Sequence, residues 1–214
     1  WKKHTQFVID APLTVIRSED GIIWAAGAHR GVAATSYFDG EQWTLDVHQE
    51  LDEFISHLSA RQLSNGDILF GSGDDEIENA PGGVILYRKE KGAYRHRHLE
   101  PNLFPPRTVG FSEFLNGDVW TGGPQLRQIN PSYKEDASVV DSFIESVWID
   151  DLEVDDFDNG WVAQWDNGLF KYDGKQWSQI SSPDQIASNQ VAHIIKDPLR
   201  KGGIWAATDR GISR

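Results

Sequence analysis

The sequence contains no cysteine, and this absence excludes disulfides, thiolate metal sites and cysteine nucleophiles together. Positive charge is scarce as well, because 20 Lys and Arg stand against 33 Asp and Glu, for a formal net charge of −13. Such a surface repels phosphate backbones and anionic lipid, so we expect no nucleic-acid partner. No apolar run approaches the length of a membrane-spanning helix, so we expect no direct membrane insertion by this segment. Residues 1–7 do not resemble a signal peptide, and any export signal is expected outside this sequence.

Local signatures of catalysis are missing too. The sequence has no Gly-x-Ser-x-Gly elbow and no phosphate-binding glycine loop. None of the seven histidines stands in a His-x-x-x-His or His-Glu-x-x-His spacing, which gives zinc little support. We therefore expect a non-catalytic protein without a cofactor, with Ca²⁺ as the one metal to consider.

An internal repeat of about 43 residues runs along the sequence. Asn-Gly and Asp-Gly pairs supply the positive φ angles of two-residue hairpin turns, so a strand is predicted on either side of each anchor glycine. A second turn follows in most copies, most clearly within residues 37–43 and 172–177. Four antiparallel strands per repeat at this period are typical of a β-propeller blade. The five blade anchors are Gly21, Gly66, Gly117, Gly160 and Gly202.

The predicted fold is all-β, a single β-propeller domain over residues 1–214 with five four-stranded blades. The third copy is the least regular, because residues 124–129 lack the second glycine. The fifth copy stops after its third strand, whereas residues 1–7 resemble a fourth strand with no blade before it. We therefore predict that the N-terminal strand pairs with the last blade and closes the ring, which removes exposed strand edges. The alternative is a piece of a larger array.

Three stretches carry a shared pattern of turns, namely residues 20–43, 158–177 and 202–214. The pattern is Asp/Asn-Gly-x-Ile/Val-Trp followed by Gly-Leu/Ile-x-Arg/Lys-Tyr/Trp-Asp-Gly-Lys/Glu-Gln-Trp, and it is similar to the two-component regulator propeller repeat. In that family such repeats form the extracytoplasmic sensor region of bacterial hybrid regulators. The resemblance implies a propeller fold, a role in signal transduction and a periplasmic or extracellular location, and it implies no catalytic residue. Composition alone suits the cytoplasm nearly as well.

Blade geometry predicts where a ligand would bind. Loops that join strands two and three of each blade share one face with the blade-joining segments, and binding residues concentrate on such loops. We expect a small molecule or oligosaccharide there, with an exposed Trp as the platform for a sugar ring, and solvated turn residues are the alternative. The candidate ligand-binding residues are His29, Arg30, Gln125, Trp165, Asp166, Asp209 and Arg210.

Two further groups of side chains are candidates. His57 and His193 fall on predicted innermost strands and are expected to line the channel, with core histidines as the alternative. The densest acidic loop supplies candidate oxygen ligands for Ca²⁺, with a solvated loop as the alternative. Its residues are Asp74, Asp75, Glu76 and Glu78.

The leading functional hypothesis is a non-catalytic recognition or sensing module. A propeller lyase or hydrolase is one alternative, and a His and a carboxylate within hydrogen-bond reach at the channel mouth, with a divalent metal, would favour it. A platform for a protein partner is the other alternative, and an exposed apolar patch on the loop face would favour that.

Overall fold

The computed structural model describes residues 9–51, 55–73, 82–99, 107–130, 138–139 and 148–214. These residues form nineteen β-strands, arranged in five antiparallel sheets in which each strand pairs with its neighbours in sequence. No helix in this part of the chain is long and apolar enough to cross a membrane. The chain divides into two compact units, Trp1–Thr108 and Val109–Arg214, called here the N-terminal and C-terminal units.

The N-terminal unit contains two four-stranded sheets. The first sheet consists of β1 (Ala11–Arg17), β2 (Ile23–His29), β3 (Val32–Phe38) and β4 (Trp43–Val47). The second consists of β5 (Ser56–Gln62), β6 (Ile68–Gly73), β7 (Gly83–Glu90) and β8 (Ala93–His98).

Aromatic side chains hold these two sheets together. Trp24 on β2 is fully buried and packs against Phe70 and Tyr87 of the second sheet, with ring centroids 5.7 and 4.9 Å away. Its ring also meets Tyr94 edge-on at 4.8 Å. Burying an aromatic ring of this size removes a large apolar surface from water, so Trp24 is a main source of cohesion in the unit.

The C-terminal unit contains three sheets. The third sheet consists of β9 (Gly110–Glu113), β10 (Val119–Gly122), β11 (Arg127–Ile129) and β12 (Ser138–Val139). The fourth consists of β13 (Asp151–Val154), β14 (Gly160–Gln164), β15 (Gly168–Tyr172) and β16 (Trp177–Ile180). The fifth has three described strands, β17 (Val191–Lys196), β18 (Ile204–Thr208) and β19 (Gly211–Ser213).

Trp120 on β10 packs neighbouring sheets of this unit together, as Trp24 does in the N-terminal unit. It is 1% exposed and packs into a cluster with Ile149, Leu152 and Val162, which joins the third sheet to the fourth. A second cluster, which includes Leu169, Val191 and Ile204, joins the fourth sheet to the fifth. Each interface between neighbouring sheets of this unit therefore has its own apolar core.

The turn between the first two strands of a sheet is longer than the sequence predicts. In the first sheet, Ser18 N donates to Ile22 O at 2.9 Å, which encloses a three-residue loop in which Gly21 has a φ of 87°. Hydrogen bonds in the same register close the turns at Gly66 and Gly117. The expectation of two-residue turns was therefore wrong, because these loops need one left-handed residue at their third position.

The all-β architecture of blade-like antiparallel sheets is confirmed. The third sheet has the shortest strands, in line with its irregular repeat. The predicted closing strand at residues 1–7 lies outside the described residues. Ring closure, the number of blades and a single domain over residues 1–214 therefore stay predictions.

Candidate functional site

The turn between strands two and three of a sheet is held by the residue just before strand one of the same sheet. Asp10 Oδ2 accepts a hydrogen bond from Arg30 N at 2.8 Å, and Asp150 Oδ2 accepts one from Trp165 N at 2.6 Å. In the fifth sheet the backbone carbonyl of Gln190 accepts from Asp209 N at 3.2 Å. These bonds fix the backbone of the turns that carry six of the predicted ligand-binding residues.

In the N-terminal unit, the predicted residues His29 and Arg30 occupy one such turn. His29 Nδ1 lies against the Asp10 carboxylate, and Arg30 has a left-handed backbone with a φ of 53°. Gln125, in the C-terminal unit, precedes β11, and its Oε1 accepts hydrogen bonds from Arg127 at 3.2 and 3.0 Å. His29 and Gln125 thus each lie against a charged side chain near them in the fold.

Two turns of the C-terminal unit lie together, and Gln190 links them. Its Nε2 donates to Asp166 Oδ1 at 2.7 Å, while its carbonyl holds the backbone of Asp209. Trp165 is 45% exposed, and the Arg210 side chain is 75% exposed beside Asp209. Gln190 thus connects the two exposed turns that carry four of the predicted residues. We call this group the turn surface, and it consists of Trp165, Asp166, Gln190, Asp209 and Arg210.

The two histidines predicted to line a channel have different surroundings. His57 is fully buried, whereas the His193 side chain is 81% exposed. His193 Nδ1 lies 3.5 Å from Asp151 Oδ2, at the edge of a hollow of about 560 Å³ lined mainly by apolar side chains such as Ile195 and Ile212. Burial raises the pKa of the Asp151 carboxyl, although a hydrogen bond from Ile194 N opposes the shift. Asp74, Asp75, Glu76 and Glu78 lie outside the described residues.

A chain of buried polar groups occupies the N-terminal unit, between its two sheets. His48 follows β4, and its Nδ1 lies 2.5 Å from Nε2 of His57 on β5. Its other ring nitrogen, Nε2, lies 2.8 Å from the hydroxyl of Tyr87 on β7. That hydroxyl donates to Asp46 Oδ2 on β4 at 2.8 Å. On β8, His96 Nδ1 lies 2.6 Å from the same carboxylate oxygen. We call these five residues the histidine cluster.

Two more side chains adjoin the histidine cluster. Thr35 Oγ1 lies 2.7 Å from the Tyr87 hydroxyl, and Glu50 Oε1 lies 3.1 Å from His96 Nε2. His48 and His57 have no exposed surface, whereas the side chains of Asp46 and His96 are 33% and 27% exposed. The cluster therefore runs from a dry interior to a rim that water reaches.

The number of protons that each group carries decides which atom donates in each hydrogen bond of the histidine cluster. Tyr87 has one hydroxyl proton and gives it to Asp46, so it accepts from Nε2–H of His48. A neutral His48 then has a lone pair on Nδ1 and accepts from Nε2–H of His57. The remaining His57 nitrogen, Nδ1, is buried and has no hydrogen-bond partner in the described part of the chain. The hydrogen bonds therefore all run in the same donor-to-acceptor direction, from His57 through His48 and Tyr87 to Asp46.

The electrostatics agree with this assignment. Burial, together with the neighbouring His96, lowers the pKa of His48 to about 3. Burial also holds the pKa of His57 well below its usual value. The hydrogen bond to Asp46 raises the pKa of His96, although partial burial opposes it. Burial alone would raise the pKa of Asp46, but the bonds from His96 and Tyr87 lower it overall.

Sequence reasoning singled out His57 but not His48, Asp46 or His96. These residues come from three separate strands and a loop, so no local spacing joins them. One signal was present, because His96 and His98 alternate with arginines along β8 and therefore share one face of the strand. Pairing them with His48 required the arrangement of two sheets.

The fold is similar to several solved structures at low sequence identity. PorZ, a surface component of the type-IX secretion system of Porphyromonas gingivalis, matches 99% of this chain with a TM-score of 0.79 and 14% identity. The extracellular domain of the one-component system BT4673 from B. thetaiotaomicron matches 99% with a TM-score of 0.72 and 18% identity. Virginiamycin B lyase from Staphylococcus aureus matches 94% with a TM-score of 0.67 and 16% identity.

These similarities show the fold alone. The chain spans 33% of the PorZ chain and 28% of the BT4673 chain, and 68% of the lyase. No protein-family model and no curated protein matches the sequence.

Proposed function

We propose that this chain is a non-catalytic recognition module of the propeller type, which binds an oligosaccharide or a similar polyhydroxylated molecule on its turn surface. The observation that carries the proposal is the pair of hydrogen bonds by which Gln190 joins the turns of Asp166 and Asp209. In this proposal the exposed aromatic ring, the two carboxylates and the guanidinium carried by these linked turns face the same ligand. Sugar-binding sites combine these same groups, since a sugar ring has an apolar face and polar edges.

Each side chain of the turn surface has a role in this proposal. The Trp165 ring stacks on the apolar face of a sugar, and the carboxylates of Asp166 and Asp209 accept hydrogen bonds from its hydroxyls. Arg210 donates, and it pairs with a carboxylate if the sugar is acidic. Because backbone bonds already fix the turns, little ordering cost is added on binding.

A sensory role outside the cytoplasm is part of the proposal. It is supported by the fold similarity to the extracellular domain of BT4673 and to PorZ, a bacterial surface component. The repeat pattern of the two-component regulator propellers supports the same reading.

An enzyme is the second candidate, and one contact favours it. His96 Nδ1 and Asp46 Oδ2 are 2.6 Å apart at the rim of the histidine cluster, which is the geometry of an acid–base pair. The fold similarity to virginiamycin B lyase is compatible with such a role. If the wild-type chain converts a substrate, activity that is lost in Asp46→Asn but kept in Asp151→Asn would support the enzyme over the non-catalytic module.

The experiment for the first candidate is a screen of defined neutral and uronic-acid oligosaccharides, followed by thermal unfolding. A molecule that binds the folded state raises the unfolding temperature in proportion to its saturation. We expect at least one oligosaccharide to do so with the wild-type chain and not with Trp165→Ala. A shift that is equal in both proteins would reject the turn surface as the site.

A further inference from the structure

The histidine cluster has the composition of a metal site. We propose that Asp46, His48 and His96 bind one divalent transition-metal ion of the Zn²⁺ class in the N-terminal unit. One ligand atom from each of the three lies within 4.8 Å of the other two. Two imidazoles and one carboxylate form a donor set that suits Zn²⁺, Ni²⁺ or Co²⁺, whereas Ca²⁺ and Mg²⁺ prefer oxygen alone.

The distances need only a small adjustment. Ligands that are about 2.1 Å from a tetrahedral Zn²⁺ lie about 3.4 Å from one another. His96 Nδ1 and Asp46 Oδ2 are now 2.6 Å apart, so an ion would separate this pair and draw His48 toward it. The movement is about an ångström and falls within side-chain rotation at the partly exposed Asp46 and His96.

The residues around the three ligands fit the outer shell of a metal site. Metal-bound histidines usually donate their second ring N–H to a carboxylate or another acceptor, which fixes the ring and its tautomer. Glu50 Oε1 faces Nε2 of His96 at 3.1 Å, on the side away from Asp46. His57 Nε2 faces Nδ1 of His48 at 2.5 Å, and Tyr87 donates to Asp46. Every proposed ligand therefore has a second partner.

Ion binding would reverse the hydrogen bond between the two buried histidines. When the metal takes Nε2 of His48, the remaining proton of that ring lies on Nδ1 and is donated to His57. His57 then carries its own proton on Nδ1, the atom that has no hydrogen-bond partner among the described residues. Both rings stay neutral, so the buried end of the cluster gains no charge.

The backbone around His48 is fixed, and the rim gives the ion a route. His48 N donates to Ala33 O at 2.9 Å, and His48 O accepts from Leu51 N at 3.1 Å. The side chains of Asp46 and His96 are about a third and a quarter exposed, so an ion reaches them from solvent. On the inner side it contacts His48, which is fully buried. A low-dielectric wall strengthens the attraction between the cation and the Asp46 carboxylate.

The test is equilibrium dialysis of the full chain against Zn²⁺, with metal content measured by mass spectrometry. We expect one tightly bound Zn²⁺ per chain, and a rise in Kd of at least tenfold in both His96→Gln and Glu50→Gln. His193→Gln is the matched control, because His193 also lies beside an aspartate but belongs to no group of three possible ligands among the described residues. It should leave binding unchanged. Unchanged binding in His96→Gln, or equal losses in His96→Gln and His193→Gln, would overturn the proposal.

A second measurement does not depend on whether the variants fold. X-ray absorption at the zinc edge of the wild-type complex reports the ligands directly. We expect the scattering pattern of two imidazoles with an oxygen ligand. Zinc bound by oxygen ligands alone, or no bound zinc, would overturn the proposal. Neither measurement depends on a ligand of the turn surface.

Discussion

A Cβ atom placed on Gly160 would lie 2.2 Å from Cζ3 of the Trp120 ring. The repeat presents Gly160 as a turn glycine, but the left-handed position of that turn is held by Asp158, with a φ of 65°. Asp158 N donates to Asp155 O, as Gly21 N does to Ser18 O in the first sheet. Gly160 is instead the first residue of β14, and its missing side chain makes room for the tryptophan that joins the third and fourth sheets.

The variant Gly160→Ala should therefore destabilise the C-terminal unit. We expect a loss of about 1–3 kcal/mol in the free energy of unfolding, because the added methyl group overpacks the Trp120 ring. Gly110→Ala is the control, since its Cβ would make only ordinary contacts at 3.7 Å. Urea denaturation compares the two, and equal stability of the two variants would contradict this role of Gly160.

A buried aspartate holds the same turn from inside. Asp155 is 4% exposed, and its Oδ1 accepts hydrogen bonds from Phe157 N and Asn159 N at 2.8 and 3.0 Å. Its Oδ2 accepts from Trp161 Nε1 at 2.9 Å. We expect Asp155→Ala to lose about 2–3 kcal/mol of stability, because several part-buried donors lose a buried, charged acceptor.

The matched control for this prediction is Asp173→Ala. Asp173 Oδ1 also accepts from two backbone amides, of Lys175 and Gln176, but on an exposed turn. Water replaces the lost acceptor there, so the loss should be clearly smaller than in Asp155→Ala. Chemical denaturation that gives the same loss for both variants would show that burial of Asp155 does not matter.

Acid should weaken the N-terminal unit through Asp20. Burial alone would raise the pKa of this carboxyl, but hydrogen bonds from Lys89, Ser18 and Tyr94 outweigh it and lower the pKa to about 2. A folded-state pKa below the unfolded value of 3.8 means that the ionised group stabilises the fold above that pH. The contribution then disappears as the pH falls toward 2.

The comparison is between the wild type and Asp20→Asn, with unfolding followed at several pH values. We expect the wild type to be more stable at pH of about 6 and the difference to shrink as the pH falls from about 4 to about 2. A difference that is constant over this range would show that the ionisation of Asp20 is not coupled to folding.

The fold was predictable because its information is local and repeated. Gly21, Gly66 and Gly117 mark equivalent turns, each with a left-handed glycine where the repeat predicts one. The reading of Gly160 failed because Asp158 can also adopt the left-handed conformation, so an Asp-Asn-Gly run does not say which residue takes it.

The sites were predictable only in part. Trp165, Asp166, Asp209 and Arg210 sit on turns that the repeat locates, and their role in binding stays a prediction. Gln190 was missed because its role comes from a contact between two turns. The histidine cluster depends on how the first sheet packs against the second, which is set by Trp24 and its neighbours. Beyond the alternation along β8, residue spacing does not reveal it.

The most direct test of the central claim is calorimetric titration of the oligosaccharide selected by the thermal screen. Phe157 provides the matched control, since it is also an exposed aromatic residue, 60% accessible, but lies at the opposite end of β14 from Trp165. We predict that Trp165→Ala weakens binding at least about tenfold, equivalent to about 1.4 kcal/mol, while Phe157→Ala binds like the wild type. Equal affinity in all three proteins, or no oligosaccharide that binds the wild type, would contradict the account.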